Sequence, residues 1–369
     1  VIVSVSWITI SLSLIAGWFR LPLSTNTLLS RPLLVSILIA ARNEEETIGN
    51  CLQDILAQDY PSSLIEVIVV NDHSTDQTSQ RVLAFKNRNI KLIQLNENKA
   101  LNSYKKRAIT EAIAHSRGEL IVTTDADCRA GPGWIRAISA AYLEGNSRLI
   151  SSPVVYFEEA TTFQKIQSLE FMYLIGSGAA CIANKVPFTC NGANLAYERA
   201  TFNAVGGFAG IDHLASGDDE LLLHKIAEAY PGEVRFLKSH EAVVFTRPKE
   251  TLEAFYQQRK RWASKSFNYR TKVPVVFAFF LGAYYVDMTS NLVIGLWAPA
   301  PFYLKIFVLQ FAGKLILEAI FLFGITRFFR RRELLVYLLP LDLLHGFYWL
   351  VMGIAGNTGK YTWKDRKVN

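Results

Sequence analysis

Cysteine is scarce in this sequence, four residues in 369, and Cys51, Cys128, Cys181 and Cys190 form no paired metal-binding spacing. Such usage suits a reduced compartment and small buried side chains. A large excess of one charge is also missing: a formal net charge of +7 is too modest to argue for a nucleic-acid partner. No internal repeat and no low-complexity linker is found. Nor does Gly-x-Gly-x-x-Gly follow the first strand-like stretch. Ala41-Arg42-Asn43-Glu44-Glu45 stands there instead, so a Rossmann oxidoreductase fails its own motif test.

What is present is unevenly spread. Half of the residues are apolar, yet residues 32–250 have ordinary globular composition while 1–19 and 273–355 are dominated by apolar runs. Within the globular part, strand and helix patterns alternate. Val35 to Ala41, Glu66 to Val70, Ile90 to Leu95 and Leu120 to Thr124 read as strands. The segment around Ile48, Leu52, Ile55 and Leu56, then Thr78 to Lys86 and Tyr104 to His115, read as helices between them. This alternation predicts an α/β fold with a mainly parallel, Rossmann-like sheet covered by helices on both faces.

Ligands of such sheets sit beyond the carboxyl ends of the strands. Glu44 follows the first strand, Asp72 the second, and Asp125 with Asp127 the fourth, so all are expected on one sheet edge. The spacing Asp125-Ala126-Asp127 lets two acids reach a single hard cation, which keeps waters and bridges to phosphates. A nucleotide diphosphate is the natural partner. The plainer alternative for Asp125 and Asp127 is a turn leading to Gly131-Pro132-Gly133.

Five ordered motifs between Val35 and Trp262 resemble the family 2 glycosyltransferases, membrane-attached enzymes of GT-A fold, similar to the chitin, hyaluronan and cellulose synthase group. They are Ala41-Arg-Asn-Glu-Glu45, Val70-Asn-Asp-His-Ser-Thr-Asp76, Thr124-Asp-Ala-Asp127, Ser216-Gly-Asp-Asp-Glu220 and Gln258-Arg-Lys-Arg-Trp262. The resemblance implies a donor site in which Asp72 meets the uracil ring of a UDP-sugar, Glu44 lies by the nucleoside and Asp125 lies near the ribose and metal. Asp127 would ligate Mg2+ or Mn2+ on the diphosphate. Lys106, with Lys105, matches a Gly-Lys-Lys-like segment of the family in which Tyr104 replaces the glycine. Asp219 would be the general base, with Asp218 beside it on the acceptor side. Gln258, Arg261 and Trp262 form the Gln-x-x-Arg-Trp motif at the pyrophosphate or acceptor. One base and one metal suffice for a single inverting displacement onto a sugar hydroxyl. Phe188 to Leu195 resembles the acceptor-side segment, with Gly206-Gly207-Phe208 following it.

Each motif also has a structural alternative: a helix start for Asn71 to Asp76, a capped helix for Ser216 to Glu220, a solvated basic face for Lys105 and Lys106, and an interfacial basic-aromatic helix for Gln258 to Trp262.

The apolar runs are expected to cross a membrane. Val1 to Phe19, closed by Arg20, is long enough for a tilted span and reads as one rather than as a cleaved signal peptide. Val273 to Trp297, Phe302 to Gly324 and Leu334 to Ala355 follow. Arg327, Arg330, Arg331 and Arg332 set the cytoplasmic side, as in a bacterial inner-membrane protein with its catalytic domain inside. With three full crossings the C-terminal tail lies outside; with a re-entrant segment around Asp287 it returns inside, as its basic residues favour. Lys314 and Glu318, one helical turn apart, are expected to pair.

The expected organisation is a transmembrane helix (1–20), a cytoplasmic GT-A domain (32–250), an interfacial helix (251–272), three transmembrane segments (273–355) and a tail (356–369). The expected partners are a nucleotide-sugar, a lipid or glycan acceptor and the membrane, with no nucleic acid. A polyprenyl-phosphate glycosyltransferase and a catalytically silent nucleotide-binding membrane scaffold are the alternatives. The Gln-x-x-Arg-Trp motif speaks against the first, and intact Asp127 and Asp219 against the second.

Overall fold

The structure, a computed structural model, describes residues 2–25, 27–85, 89–96, 103–145, 147–264, 272–297, 301–356, 361–363 and 366–368. Strands β1 (Val35–Ala41), β2 (Ile65–Asn71), β3 (Ile90–Gln94) and β4 (Leu120–Asp125) lie where the apolar runs predict them. They are followed by β5 (Arg129–Ala130), β6 (Leu149–Ser151), β7 (Val154–Tyr156), β8 (Leu195–Glu198), β9 (Val234–Phe236) and β10 (Val244–Thr246). The main sheet has the order β3-β2-β1-β4-β8-β6-β9 and is parallel except around β8, which runs against both β4 and β6. Strands β5, β10 and β7 form a second, smaller sheet.

Helices α2 (Ile48–Leu56), α3 (Thr78–Leu83), α4 (Tyr104–Ala114) and α5 (Trp134–Leu143) connect the first strands. After them come α6 (Thr162–Ala183), α7 (Arg199–Ala204), α8 (Glu220–Ala229) and α9 (Leu252–Ala263). Strand side chains alternate between faces, and the core divides accordingly. Ile37, Ile39, Val67, Val69 and Val122 belong to one apolar cluster with α2, α5 and α6. Leu38, Ile68, Val70 and Ile121 belong to another with α4 and α8. This is the two-faced burial of a doubly covered parallel sheet.

The register places the functional edge. Ala41 pairs with Asn71, and Ala40 with Asp125, so β1, β2 and β4 end level with one another. The chain moves outward from β1 to β3 on one side and places β4 on the other. The loops after β1 and β4 therefore diverge and leave a crevice between them.

Helices α1 (Ile2–Arg20), α10 (Val273–Trp297), α11 (Pro301–Phe328) and α12 (Leu338–Gly356) are long and apolar enough to cross a membrane when the 3-10 turn Arg332–Tyr337 is counted with α12. So is α6, a span that the sequence reading did not foresee, although most of α6 is buried inside the protein. A capping box of Thr161 and Gln164 opens α6. Helix α1 packs tightly on it: a Cβ at Gly17 would lie 2.5 Å from the carbonyl oxygen of Ala180. Trp7 stacks on Tyr284 of α10 at 5.3 Å, and Trp18 meets Phe328 of α11 edge-on at 5.8 Å. Lys314 pairs with Glu318 at 2.8 Å as its spacing predicts, and also with Asp342 of α12 at 2.6 Å.

Helix α10 runs unbroken through Asp287, so the re-entrant segment considered there is absent. Helix α12 is tied to the rest of the protein near both of its ends. Just before it, Arg331 pairs with Glu159 at 3.2 Å, and at its end Gly356 packs on Ala263 of α9. A short hairpin, β11 (Tyr361–Trp363) and β12 (Arg366–Val368), follows, and Arg366 reaches Asp72. The hairpin thus lies against the sheet edge that carries Asp72. Of the expected interfacial segment 251–272, residues 265–271 lie outside the described residues.

Candidate active site

The loops after β1 and β2 are laced together by short polar side chains. Asn43 and His73 take left-handed backbone angles, φ of +49° and +54°. Ser74 Oγ accepts from the Asn43 amide at 3.0 Å, and Asn43 Oδ1 accepts from the Thr75 amide at 2.9 Å. Thr78 Oγ1 accepts from the Glu44 amide at 2.8 Å. Asp76 receives the amides of Thr78 and Glu45, both at 3.0 Å. Burial opposes the charge of Asp76, but the Thr78 hydroxyl and these amides outweigh it and hold the carboxyl below its ordinary value. Asp76 therefore braces the turn before α3, while Asp72 lines the cleft.

Asp72 is almost fully buried. Its Oδ2 accepts from Arg366 Nη1 at 2.7 Å, and its Oδ1 lies 3.0 Å from His73 Nδ1. The Arg366 guanidinium lies 3.8 Å over the centre of the Tyr104 ring. Glu44, one loop away, accepts from Thr47 Oγ1 at 2.8 Å.

At the end of β4, ligand atoms of Asp125, Asp127 and Cys128 lie within 4.8 Å of one another. Burial, then Asp127 and Asp125, push the Cys128 thiol well above its ordinary range, so it stays protonated. That leaves two carboxylates, oxygen donors suited to a hard divalent cation such as Mg2+ or Mn2+. The residues fit such an ion.

Lys105 joins this pair of acids to the next. Its Nζ donates to Asp125 Oδ1 at 2.7 Å and stands 3.4 Å from Asp218 Oδ2. Burial opposes its charge, but Asp125 and Asp218 outweigh burial and raise the ammonium above its ordinary range. Asp219 caps α8, accepting from the Glu220 amide at 2.7 Å through Oδ1. Through Oδ2 it accepts from the Gly192 amide at 3.2 Å. Gly192 permits this approach, since a Cβ there would lie 3.3 Å from Asp218 Oδ2. Thr123 Oγ1 on β4 donates to the Gly192 carbonyl at 2.8 Å and holds that loop.

A cavity of about 870 Å3 gathers these groups. Glu44, Asp72, Asp125, Asp127, Asp218, Asp219, Gln258, Arg261 and Trp262 all line it. Lys106 does not. It is buried on the far side of α4, donating to the carbonyls of Leu214 and Ser216 at 2.5 and 2.7 Å. Its work is to hold the loop that carries Asp218 and Asp219. Lys105, the other member of the pair, faces the cleft. The sequence reading also missed Tyr104, Glu170, Arg259 and Arg366; the helical offset of Lys105 from Lys106 was the one local signal available. The cavity continues past Trp262 to Glu318 of α11 and to Asp342, His345 and Tyr348 of α12.

Residues 36–206 match the family model described as Glycosyl transferase family 2. A probable glycosyltransferase of Bacillus subtilis strain 168 is 28% identical over 239 residues, 62% of this chain and 54% of that protein. A poly-beta-1,6-N-acetyl-D-glucosamine synthase of Staphylococcus epidermidis is 24% identical over 241 residues, 62% of this chain and 53% of that protein. The chain thus spans about half the length of the curated relatives it matches. Among solved structures, a mannosyltransferase from Pyrobaculum calidifontis in complex with GDP-Man and Mn2+ superposes with a TM-score of 0.53 at 18% identity, covering 92% of this chain and 99% of that one. The likeness is one of fold.

Proposed function

We propose that this chain, whose residues 36–206 carry the glycosyl transferase family 2 domain, is an inverting, metal-dependent glycosyltransferase. It moves a sugar from a nucleotide-sugar, UDP-linked, to a membrane-associated lipid or glycan acceptor. The observation that carries this reading is the continuity of the cavity. Its upper part holds the acids at the sheet edge, and its lower part runs between helices that are apolar enough to cross a membrane. A soluble donor needs only the upper part. The lower part supplies a way for a membrane acceptor to reach the same carboxylates.

The residues take the following roles. Asp72, an acceptor-only carboxylate, suits the N–H edge of a nucleobase. Asp127, with Asp125 beside it, would hold the divalent cation, which when bound neutralises charge on the departing diphosphate. Asp219 is held in place by the backbone N–H groups of Gly192 and Glu220. As a carboxylate lining the cavity, Asp219 would take the proton of an acceptor hydroxyl as that oxygen attacks. The domain faces the cytoplasm, supported by the Arg327 to Arg332 cluster, whose Arg331 pairs with Glu159 of the catalytic domain. The poly-N-acetylglucosamine synthase among the relatives supports a glycan acceptor.

The test separates base from binding site. Asp219→Asn should keep nucleotide-sugar affinity while transfer falls about 10²–10⁴-fold, the scale of general-base loss. Asp127→Asn should lose the part of nucleotide-diphosphate binding that depends on Mn2+ or Mg2+ in calorimetry. Normal turnover in Asp219→Asn at saturating donor would remove Asp219 from the mechanism and leave it as a helix cap.

A further inference from the structure

The motif at the membrane edge of the cleft contains a residue that its pattern leaves unassigned. Arg259 follows Gln258, and its side chain is only 2% exposed. It faces Glu170 of α6, whose side chain is 8% exposed. Arg259 Nε donates to Glu170 Oε1 at 3.2 Å and Nη2 donates to Oε2, a two-pronged pair. The remaining arm, Nη1, donates to Gln258 Oε1 at 2.7 Å. The guanidinium carbon lies 4.3 Å from the centre of the Trp262 ring and 4.6 Å from that of Phe255. One planar cation thus touches both motif residues that border it on the helix.

A pair this deeply buried is a poor stabiliser, because desolvating each ion costs several kcal/mol. What it supplies is direction, since the five N–H groups of arginine form a rigid fork. Gln258 Oε1 accepts from Arg259 and lies 3.5 Å from the Tyr156 hydroxyl that donates to it. The amide is thereby turned, and its Nε2 has no acceptor among the described residues. That nitrogen belongs to a cavity-lining residue and offers two donors to an oxygen-rich ligand. The Trp262 ring also meets Phe171, the neighbour of Glu170, with ring centres 6.0 Å apart. Glu170 Oε1 also accepts from the Tyr348 hydroxyl of α12 at 3.2 Å.

We infer that Glu170 and Arg259 are positioning residues that set Gln258 and the Trp262 ring as the acceptor-side wall of the cleft, with Tyr348 tying that wall to the seating of α12. The inference rests on the glycosyltransferase reading for its effect on turnover, but not for its geometry.

The test uses the full chain in nanodiscs of phosphatidylethanolamine and phosphatidylglycerol. Glu170→Gln keeps shape and loses charge; Arg259→Lys keeps charge and loses the fork and the flat face. Three quantities are read. The first is Trp262 emission, taken as the difference between each protein and the same protein carrying Trp262→Phe. The others are UDP affinity with Mn2+ and UDP release from UDP-N-acetylglucosamine. Both variants should shift Trp262 emission to the red and leave the UDP Kd within about twofold of wild type. Turnover should fall on the order of 10²-fold, the usual cost of about 1 Å of misplacement. The retained charge of Arg259→Lys should give no rescue. Unchanged Trp262 emission in folded Glu170→Gln overturns the inference, whatever the turnover. So does a loss of UDP affinity that matches the loss of turnover, which would move the pair to the donor site. If Glu170→Gln does not fold, Tyr348→Phe removes one hydroxyl only, and no emission shift there overturns the inference too. A wild-type chain inactive with every nucleotide-sugar, but with the emission shift present, would sink the enzymatic reading and leave the positioning pair standing.

Discussion

At the scale of single residues, two adjacent lysines do different work. Lys105 is a cation between Asp125 and Asp218, whereas Lys106 pins the Leu214 and Ser216 carbonyls. Lys105→Ala should weaken nucleotide-diphosphate binding about tenfold or more, since a charged hydrogen bond contributes about 1.5–3 kcal/mol, with the melting temperature little changed. Lys106→Met should do the reverse: it strands two carbonyls and costs roughly 1–3 kcal/mol of stability. Calorimetry and thermal unfolding on both variants check the contrast. Glu44, Asp72, Asp125 and Asp127 were legible in the sequence because they lie at or just past strand ends, which are local signals, whereas Asp218 and Asp219 were legible only through a family-like motif. The choice between Lys105 and Lys106 was not legible. Neighbouring residues on a helix point about 100° apart, and only the position of the β4 edge shows which of them faces the cleft.

At the scale of elements, β1 to β4 were legible within about a residue because buried parallel strands read as unbroken apolar runs, whereas the short strands β5 to β10 were not foreseen. Helix α6 was not, because a helix packed on most sides carries no polar face to mark its period. Its partner across the motif, Arg259, is 89 residues away from Glu170. Helix α1 is clasped to the domain by Lys238, whose ammonium lies 4.1 Å over the Trp18 ring and donates to the Trp18 carbonyl at 3.1 Å. Burial lowers this amine to about 8. The unfolded chain therefore holds this proton at pH values where the folded chain has released it. Stability should rise from about pH 8 towards the ordinary lysine value of 10.5. Lys238→Met should flatten that rise in thermal unfolding scans across the window. An unaltered slope would show that Lys238 stays charged in the fold.

At the scale of the whole molecule, hydropathy reads how long a helix is but not where its ends return, which is why the path of α12 and the tail needed the structure. That path has a consequence for every binding measurement. The carboxylate proposed to read the nucleobase is the one that Arg366 holds, and the ring beneath that guanidinium is Tyr104. On that proposal the tail would be a tethered competitor, whose local concentration does not change with dilution. An apparent Kd for the donor then equals the intrinsic Kd divided by the fraction of molecules whose base site is vacated. A tail-closing free energy of about 1.4 kcal/mol would mask affinity tenfold. Arg366→Ala should accordingly tighten UDP binding and speed its association in stopped-flow mixing. Weaker binding would instead make Arg366 a ligand of the donor. The resting enzyme would on this account be self-occupied, with substrate concentration setting how often it opens.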